Sequence, residues 1–273
     1  MTYPMNLRKH IFHTALIFCG FFVLLTNLQA ESTNTFRVMT YNIHHGEGLD
    51  KQVDLQRIAD LIKQEKADIV ALQEVDRNTE RTGKRDFPAE FTRLTGMSCV
   101  FSNNWPVQGG EYGTAILTRF PITKREHSLL KMVGSKEQRG LLQAHVKMGD
   151  REVVVMNTHV DHRKTDEERL ESIMEFATVI KKKAELPVIF CGDFNDVPGS
   201  PTYEQMSALL DDSWKLIGEG EGWTIPAEKP RRRIDYIWIS KKGPIIPLRA
   251  WVPASEASDH RPLVVEFQLP TGK

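Results

Sequence analysis

The chain is poor in cysteine and carries no surplus charge of either sign. Three cysteines occur in 273 residues, and none stands at a spacing from histidine or another cysteine that would build a structural zinc site. Cys19 falls within the first thirty residues, leaving Cys99 and Cys191. A chain of this length buries enough surface to be stable without cross-links. Cys191 lies inside an apolar run, where a thiol acts as a small hydrophobe, so no disulfide is expected. Lysine plus arginine and aspartate plus glutamate both number 36, which removes the electrostatic footprint of a protein that tracks a nucleic-acid polyanion. No apolar run reaches the roughly 20 residues of a spanning helix. Internal repeats, low-complexity tracts and linkers are also missing, so one domain is expected.

The first thirty residues stand apart. Arg8, Lys9 and His10 precede Ile11–Leu25, which is apolar except at His13, Thr14 and Gly20, and Leu28-Gln29-Ala30 ends on a small residue. That order of basic, apolar and small-residue regions predicts a cleaved signal peptide over 1–30, with the folded domain over 31–273. Phe18 is too bulky for Cys19 to mark a lipoprotein signal. Cleavage removes two bases and no acid, so the mature net charge is −2. The expected product is an exported monomer, periplasmic or secreted, with no stable membrane span.

What is there begins with Val188-Ile189-Phe190-Cys191-Gly192-Asp193-Phe194-Asn195. The apolar part reads as a strand covered on both faces. Gly192 reads as a sharp turn at its end, presenting Asp193 and Asn195. The remaining chain supplies context. Phe36–Tyr41 alternates as a strand, Asp54 caps a helix through Leu55, Ile58, Leu61 and Ile62, and Ile69–Leu72 is a second buried strand. Strand, helix, strand is the unit of a covered sheet. Residues 76–110 read as loops around a short helix near Ala89–Leu94. Tyr112–Arg119, Leu141–Lys147 and Glu152–Met156 resume the strand pattern, the last two joined by a tight Gly149-Asp150 turn. Thr165-Asp166-Glu167-Glu168 reads as a capping box for a helix closed by Lys181–Lys183, whose charge suits the helix dipole. Pro201–Leu210 reads as a short helix, and Ile234–Ile239, Pro244–Trp251 and Leu263–Phe267 as strands.

Polar residues collect where strands end: Asn42, Glu74, His159, Asp193 and Asn195, with Asp235 in a strand and Asp259-His260 just before another. Each has an ordinary reading. Asn42 and Asn195 suit turns, Glu74 a surface charge, His159 a satisfied strand-end histidine, and Asp235 a partner for Arg231–Arg233. Together they are the groups of one chemistry. Hard oxygen donors without thiolate select Mg²⁺, or Mn²⁺, over zinc. Two histidines can stabilise a charged oxygen, and further carboxylates can orient them or deprotonate a water.

Seven segments carry a resemblance: Thr40-Tyr41-Asn42-Ile43, Leu72-Gln73-Glu74-Val75, Tyr112-Gly113-Thr114-Ala115-Ile116-Leu117, Asn157-Thr158-His159, Gly192-Asp193-Phe194-Asn195, Arg233-Ile234-Asp235-Tyr236 and Ser258-Asp259-His260. In this order the chain resembles the endonuclease/exonuclease/phosphatase superfamily, whose fold is deoxyribonuclease I-like. The resemblance implies an α/β (α+β) four-layer sandwich, two mixed β-sheets packed face to face with helices outside and the active site at one rim. It implies Mg²⁺ held by Glu74 with Asn42 and Asp259, a water oriented or deprotonated by Asp193 and held by Asn195, and a scissile phosphate met by His159 and His260. Asp235 would orient His260, and Tyr112 would approach the phosphate. One departure is His44, where many nucleases of the family have an acid.

The reading is therefore an exported, Mg²⁺-dependent phosphoesterase using in-line attack of water. Its substrate is a small diester, a phospholipid head group, a phosphomonoester or nucleic acid, and near-neutral charge argues against DNA. A secreted nuclease and an inactive binding module are the alternatives; retention of the whole polar set argues against the module. Arg231–Arg233 reads as a solvated strand flank or an anion grip, and Trp105 and Trp223 as core anchors or loop covers for a head group.

Overall fold

The computed structural model describes residues 1–2 and 34–270; the predicted signal peptide lies outside the described residues apart from its first two. Strand β1 (Asn34–Asn42) runs through helix α1 (Leu55–Gln64) into β2 (Ile69–Arg77), to which it pairs in parallel. Asp54 starts α1 by accepting from Gln56 N–H at 2.8 Å, and Leu55, Ile58, Leu61 and Ile62 are its buried stripe. Then follow α2 (Phe87–Thr95) and the antiparallel β3 (Ser98–Val107) and β4 (Gly110–Thr118). The second half has β5 (Ile122–Leu129), β6 (Gly140–Met148) and β7 (Arg151–His159), then α3 (Glu167–Lys182) and β8 (Val188–Asp193), which is parallel to β7. Helix α4 (Pro201–Leu209), β9 (Leu210–Asp212), α5 (Ser213–Ile217), β10 (Asp235–Ser240), β11 (Ile246–Trp251) and β12 (Leu263–Leu269) complete it.

Among the described residues two six-stranded sheets result, ordered β11-β12-β1-β2-β4-β3 and β5-β6-β7-β8-β10-β9. Three apolar layers hold them. One lies between the sheets, with Val38, Ile69, Val155, Ile189 and Ile237. A second seals α1 and α2 onto the first sheet through Leu55, Phe87 and Phe91. The third seals α3 and α4 onto the second through Phe176, Phe190 and Met206. There Phe176 meets Phe190 edge-on at 4.9 Å, a contact worth about 0.5–1.5 kcal/mol beyond its buried area. The four-layer mixed sandwich expected from the motifs is thus the observed fold.

The topology explains the rim. Each sheet contains one parallel pair joined by a helix, β1-α1-β2 and β7-α3-β8. Parallel strands bring their C-terminal ends to one edge, the usual place for a site in such units. Asn42, His159 and Asp193 are the last residues of β1, β7 and β8. β10 runs antiparallel, so its first residue, Asp235, lies opposite Asp193.

Several sequence expectations need correction. Residues 76–110 are not mainly loop: β2 runs to Arg77, and β3 fills 98–107. Asn103, Asn104 and Pro106 hid β3, but it is an edge strand with a bulge at 103–105, where proline and irregularity are tolerated. β5 has no strand pattern in the sequence because Ile122–Leu129 is mostly charged and polar; it too is an edge, where such residues guard against further pairing. Gly192 is not a turn. It is extended within β8 at φ 158°, and an added Cβ would stand 2.4 Å from the Thr158 carbonyl oxygen of β7. The capping box does not form: α3 begins at Glu167, and the Asp166 carboxylate makes no cap bond but accepts from Arg169. Of the arginine run, Arg233 is buried and paired to Asp212 at 2.8 Å, not solvated. The Gly149-Asp150 hairpin is present, and Cys99 and Cys191 are both free thiols.

Candidate active site

Glu74 reaches the rim through a bulge. The β2–β4 register slips between Gln73 and Val75, and Glu74 takes φ 59°. A bulge places two residues opposite one and re-aims the extra side chain. Its carboxylate accepts from Asn42 Nδ2 at 3.0 Å, and the same amide nitrogen donates to Asp193 Oδ2 at 3.0 Å. Asn42 Oδ1 accepts the backbone N–H of His44 at 3.0 Å, which fixes that orientation. The Asn42 carbonyl accepts from Ser258 Oγ at 2.7 Å and ties the 258–260 loop to β1.

Asp193 is buried at the centre. Its Oδ1 accepts the Asn195 N–H at 2.8 Å, and its Oδ2 lies 3.6 Å from His159 Nε2 and 3.7 Å from His260 Nε2. Asn195 adopts a left-handed φ of 51° and donates from Nδ2 to the Val160 carbonyl at 3.1 Å. Asp235 Oδ2 meets His260 Nδ1 at 2.9 Å, while its Oδ1 is buried without a hydrogen-bond partner among the described residues. Burial, then the charge of Asp235, pushes Asp193 upward, so it is a stronger base than an ordinary carboxylate. Burial opposes the charge on His260, but Asp235, with Asp193 and Asp259, outweighs it and raises that imidazole. Burial and the Arg139 charge hold His159 well below its usual range and therefore neutral.

Arg139, which carries no motif, is buried just before β6. It donates from Nη1 to His159 Nδ1 at 2.9 Å and from Nη2 to His162 Nδ1 at 3.3 Å, and pairs with Glu137 at 2.8 Å. A guanidinium only donates, so His159 keeps its proton on Nε2, facing Asp193. Burial, then the charge of Glu74, pushes the Tyr112 phenol well above its usual range. Arg81 lies over the Tyr112 ring at 5.4 Å and is gripped by Asp76 through two 2.7 Å bonds.

These groups open into one cavity of about 670 Å³. Glu74 and Asp259 line it together, as do Asn42, Tyr112, His159, Asp193, Asn195 and His260. Asp235 stands behind His260. Trp105, Pro106, Val107 and Ile225 wall it, with Arg81 and Arg139. Trp223 lines a separate cavity of about 880 Å³ that shares no residue with it. The donor set fits a divalent ion: two carboxylates at one cavity, and a buried Asp193–Asp235–His260 group whose donor atoms lie within 4.8 Å of one another. Such oxygen-rich sets hold hard cations, and a buried acid cluster of this kind needs countercharge. The arrangement can take a proton from a water, hold a cationic imidazole beside it and bind an anion.

The model of the Endonuclease/Exonuclease/phosphatase family matches residues 39–260. Over 254 residues the chain is 28% identical to the uncharacterized protein YbhP of Escherichia coli strain K12, covering 86% of this chain and 97% of that one. Among solved structures, an endonuclease/exonuclease/phosphatase family protein from Bacteroides thetaiotaomicron superposes with a TM-score of 0.74 at 21% identity, over 88% of this chain and 99% of that one. A mannosyl-6-phosphatase of the same organism superposes with a TM-score of 0.72 at 21% identity, over 85% and 99%.

Proposed function

The chain belongs to the endonuclease/exonuclease/phosphatase family, whose members are metal-dependent phosphoester hydrolases, and from that premise we propose an exported, Mg²⁺-dependent enzyme that hydrolyses a small phosphoester. The observation that carries this reading is the convergence of Asp193, His260 and His159 on one point of the cavity that Glu74 and Asp259 line. Glu74 and Asp259 would hold the Mg²⁺, for which Mn²⁺ can substitute; Asn42, expected as a third ligand, turns its Nδ2 to Glu74 and Asp193 and its Oδ1 to the His44 N–H, so it orients those carboxylates instead. When bound, the ion supplies positive charge against the scissile phosphate and the leaving oxygen.

The chain's own groups do the rest. Asn195 positions the attacking water and Asp193, upward-shifted by burial, takes its proton. His260, held by Asp235, faces the developing charge as an imidazolium. His159 donates from Nε2 to a phosphate oxygen, with its ring fixed by Arg139. Tyr112 adds a neutral phenol at the same wall. The cavity supports a small substrate: its volume is that of a small-molecule pocket, and Trp105, Pro106 and Val107 make one wall. Near-neutral charge supports a head group or small ester over duplex DNA. The basic-apolar-small pattern of residues 1–30 supports export. No helix among the described residues is long and apolar enough to cross a membrane, and the protein is read as a monomer.

The test is hydrolysis across duplex DNA, a small diester, a phosphomonoester and sphingomyelin, with Mg²⁺, Mn²⁺ or EDTA, and with Glu74→Gln and His260→Ala. Metal-dependent turnover of a small ester, lost in both variants, is expected. Preference for duplex DNA would replace the small-substrate reading with a nuclease. Turnover unaffected by EDTA would remove the metal.

A further inference from the structure

We propose that His44, His45 and Glu47 form a second metal site, for a borderline divalent ion of the zinc or iron(II) type, distinct from the oxygen-rich Mg²⁺ site at Glu74. One donor atom from each of the three lies within 4.8 Å of the other two. Two ligands of one ion, each about 2.1 Å from it, stand roughly 3–4 Å apart, and His45 Nε2 is 3.8 Å from Glu47 Oε2. That separation is too long for a hydrogen bond and suits two ligands of a shared ion. His45 Nδ1 is buried and has no hydrogen-bond partner among the described residues, so no hydrogen bond at that nitrogen fixes the tautomer, and Nε2 is free to present its lone pair beside Glu47.

The backbone gives the second argument. His44 and His45 take φ of 45° and 43°, and Gly46 follows at 81°. Glycine or asparagine adopts this left-handed region at lower cost than histidine. Strained residues of this kind gather where the side chain serves a function. The turn is held from both sides: His44 N–H donates to Asn42 Oδ1 at 3.0 Å, Glu47 N–H to the His44 carbonyl at 2.9 Å, and Asp54 N–H to the Gly46 carbonyl at 3.0 Å. A Cβ on Gly46 would come within 2.9 Å of the Leu55 side chain, so the turn is packed in place.

Two imidazoles and one carboxylate select borderline transition ions, whereas Mg²⁺ prefers oxygen alone. Two cations stand near. Arg81 is neutralised by Asp76, and Lys51 reaches Glu47 at 3.3 Å on a side chain 75% exposed, which an ion can displace. His44 and His45 line the same cavity as Glu74, so open coordination positions would face the substrate.

The ion site does not rest on the phosphoesterase reading, and its test separates them. The full chain is stripped of metal, then titrated with Co²⁺ alone, following its visible ligand-field absorption, in wild type, His45→Ala, Glu47→Gln and Glu74→Gln. A nitrogen-type Co²⁺ spectrum is expected in wild type and Glu74→Gln. In His45→Ala and Glu47→Gln the affinity should fall at least about tenfold, the loss already seen when only a supporting hydrogen bond is removed. Equal spectra and affinities in all four proteins, no such spectrum in wild type, or its loss in Glu74→Gln alone would overturn the site. Circular dichroism checks folding; if His45→Ala unfolds, the partly exposed Glu47→Gln decides.

Discussion

Asn157 Oδ1 accepts a 2.7 Å hydrogen bond from Gln73 Nε2 across the gap between the two sheets. Its Nδ2 donates to the carbonyls of Leu72 and Ala115, at 2.8 and 2.9 Å. Gln73 in turn donates to Thr40 Oγ1 at 3.1 Å. One β7 side chain thus fastens β7 to β2 and β4, two residues before His159. The network sets the distance between the two sheet edges that share the site.

Removing that fastener should loosen the fold. Asn157→Ala takes a buried donor from the Leu72 and Ala115 carbonyls, at about 1–3 kcal/mol for each group left unsatisfied and less than additively, while Gln73 Nε2 keeps Thr40 Oγ1 and the Ala71 carbonyl. A total near 3 kcal/mol corresponds to a fall in Tm of roughly 6–12 °C for a domain of this size. Calorimetry with and without the substitution measures it. A Tm within a degree of wild type would mean that the apolar layer and the other cross-sheet bonds, such as His127 to Asn104, hold the sheets without Asn157.

Gly192→Ala tests a different constraint. Its Cβ would press on the Thr158 carbonyl of the neighbouring parallel strand, an atom that cannot swing aside. Overpacking of this kind costs about 1–3 kcal/mol, and the strand it displaces carries Asp193. Stability and turnover should both fall. Wild-type stability with a normal urea midpoint would show that β7 and β8 have room to part.

Much of this was legible in the residues. Both helix-linked parallel pairs rest on local signals: β-branched runs in Ile69–Leu72 and Val188–Phe190, and a cap at Asp54. Asn42, His159, Asp193, Asn195 and Asp259 were legible because each ends a strand or lies in the turn beside one, whereas Glu74 lies inside β2 and reaches the rim only through its bulge. The edge strands β3 and β5 were not, since edges favour charge, proline and bulges over apolar alternation. Arg139, Arg81 and His162 could not be found either. Each lies in a polar run with nothing to mark it out from its charged neighbours, and only the approach of distant segments brings it to the cavity. Arg233 shows the same limit: nothing local says that Asp212 will cover it.

Arg139 carries a prediction because its geometry is specific. Its fork serves His159 and His162 at once, which a lysine's single ammonium cannot reproduce. Arg139→Lys should lower kcat/KM by roughly 10–100-fold, the usual loss when a group orienting an active imidazole is removed. If Arg139 acts by orienting His159, then His159→Ala and the double variant should fall to the same rate. Additive losses in that cycle would mean that Arg139 touches the substrate independently.

Asp235→Asn is the sharpest test of the rim. The substitution keeps the side chain's shape and its place behind His260 but removes the negative charge that outweighs burial and keeps the imidazole protonated. The amide can still offer an oxygen to His260 Nδ1, so the ring need not move. What changes is its charge, and with it the stabilisation of the phosphate oxygens. A proton-transfer or charge-stabilising group of this kind contributes about 10²–10⁴-fold, so kcat should fall by that order while KM changes little. The substitution also removes one partner of a buried ion pair, which is destabilising, and relief of the repulsion on Asp193 offsets only part of that loss, so Tm should fall while the fold persists. A kcat near that of wild type would leave Asp235 a structural partner only; loss of folding together with rate would make it the anchor of the 258–260 loop.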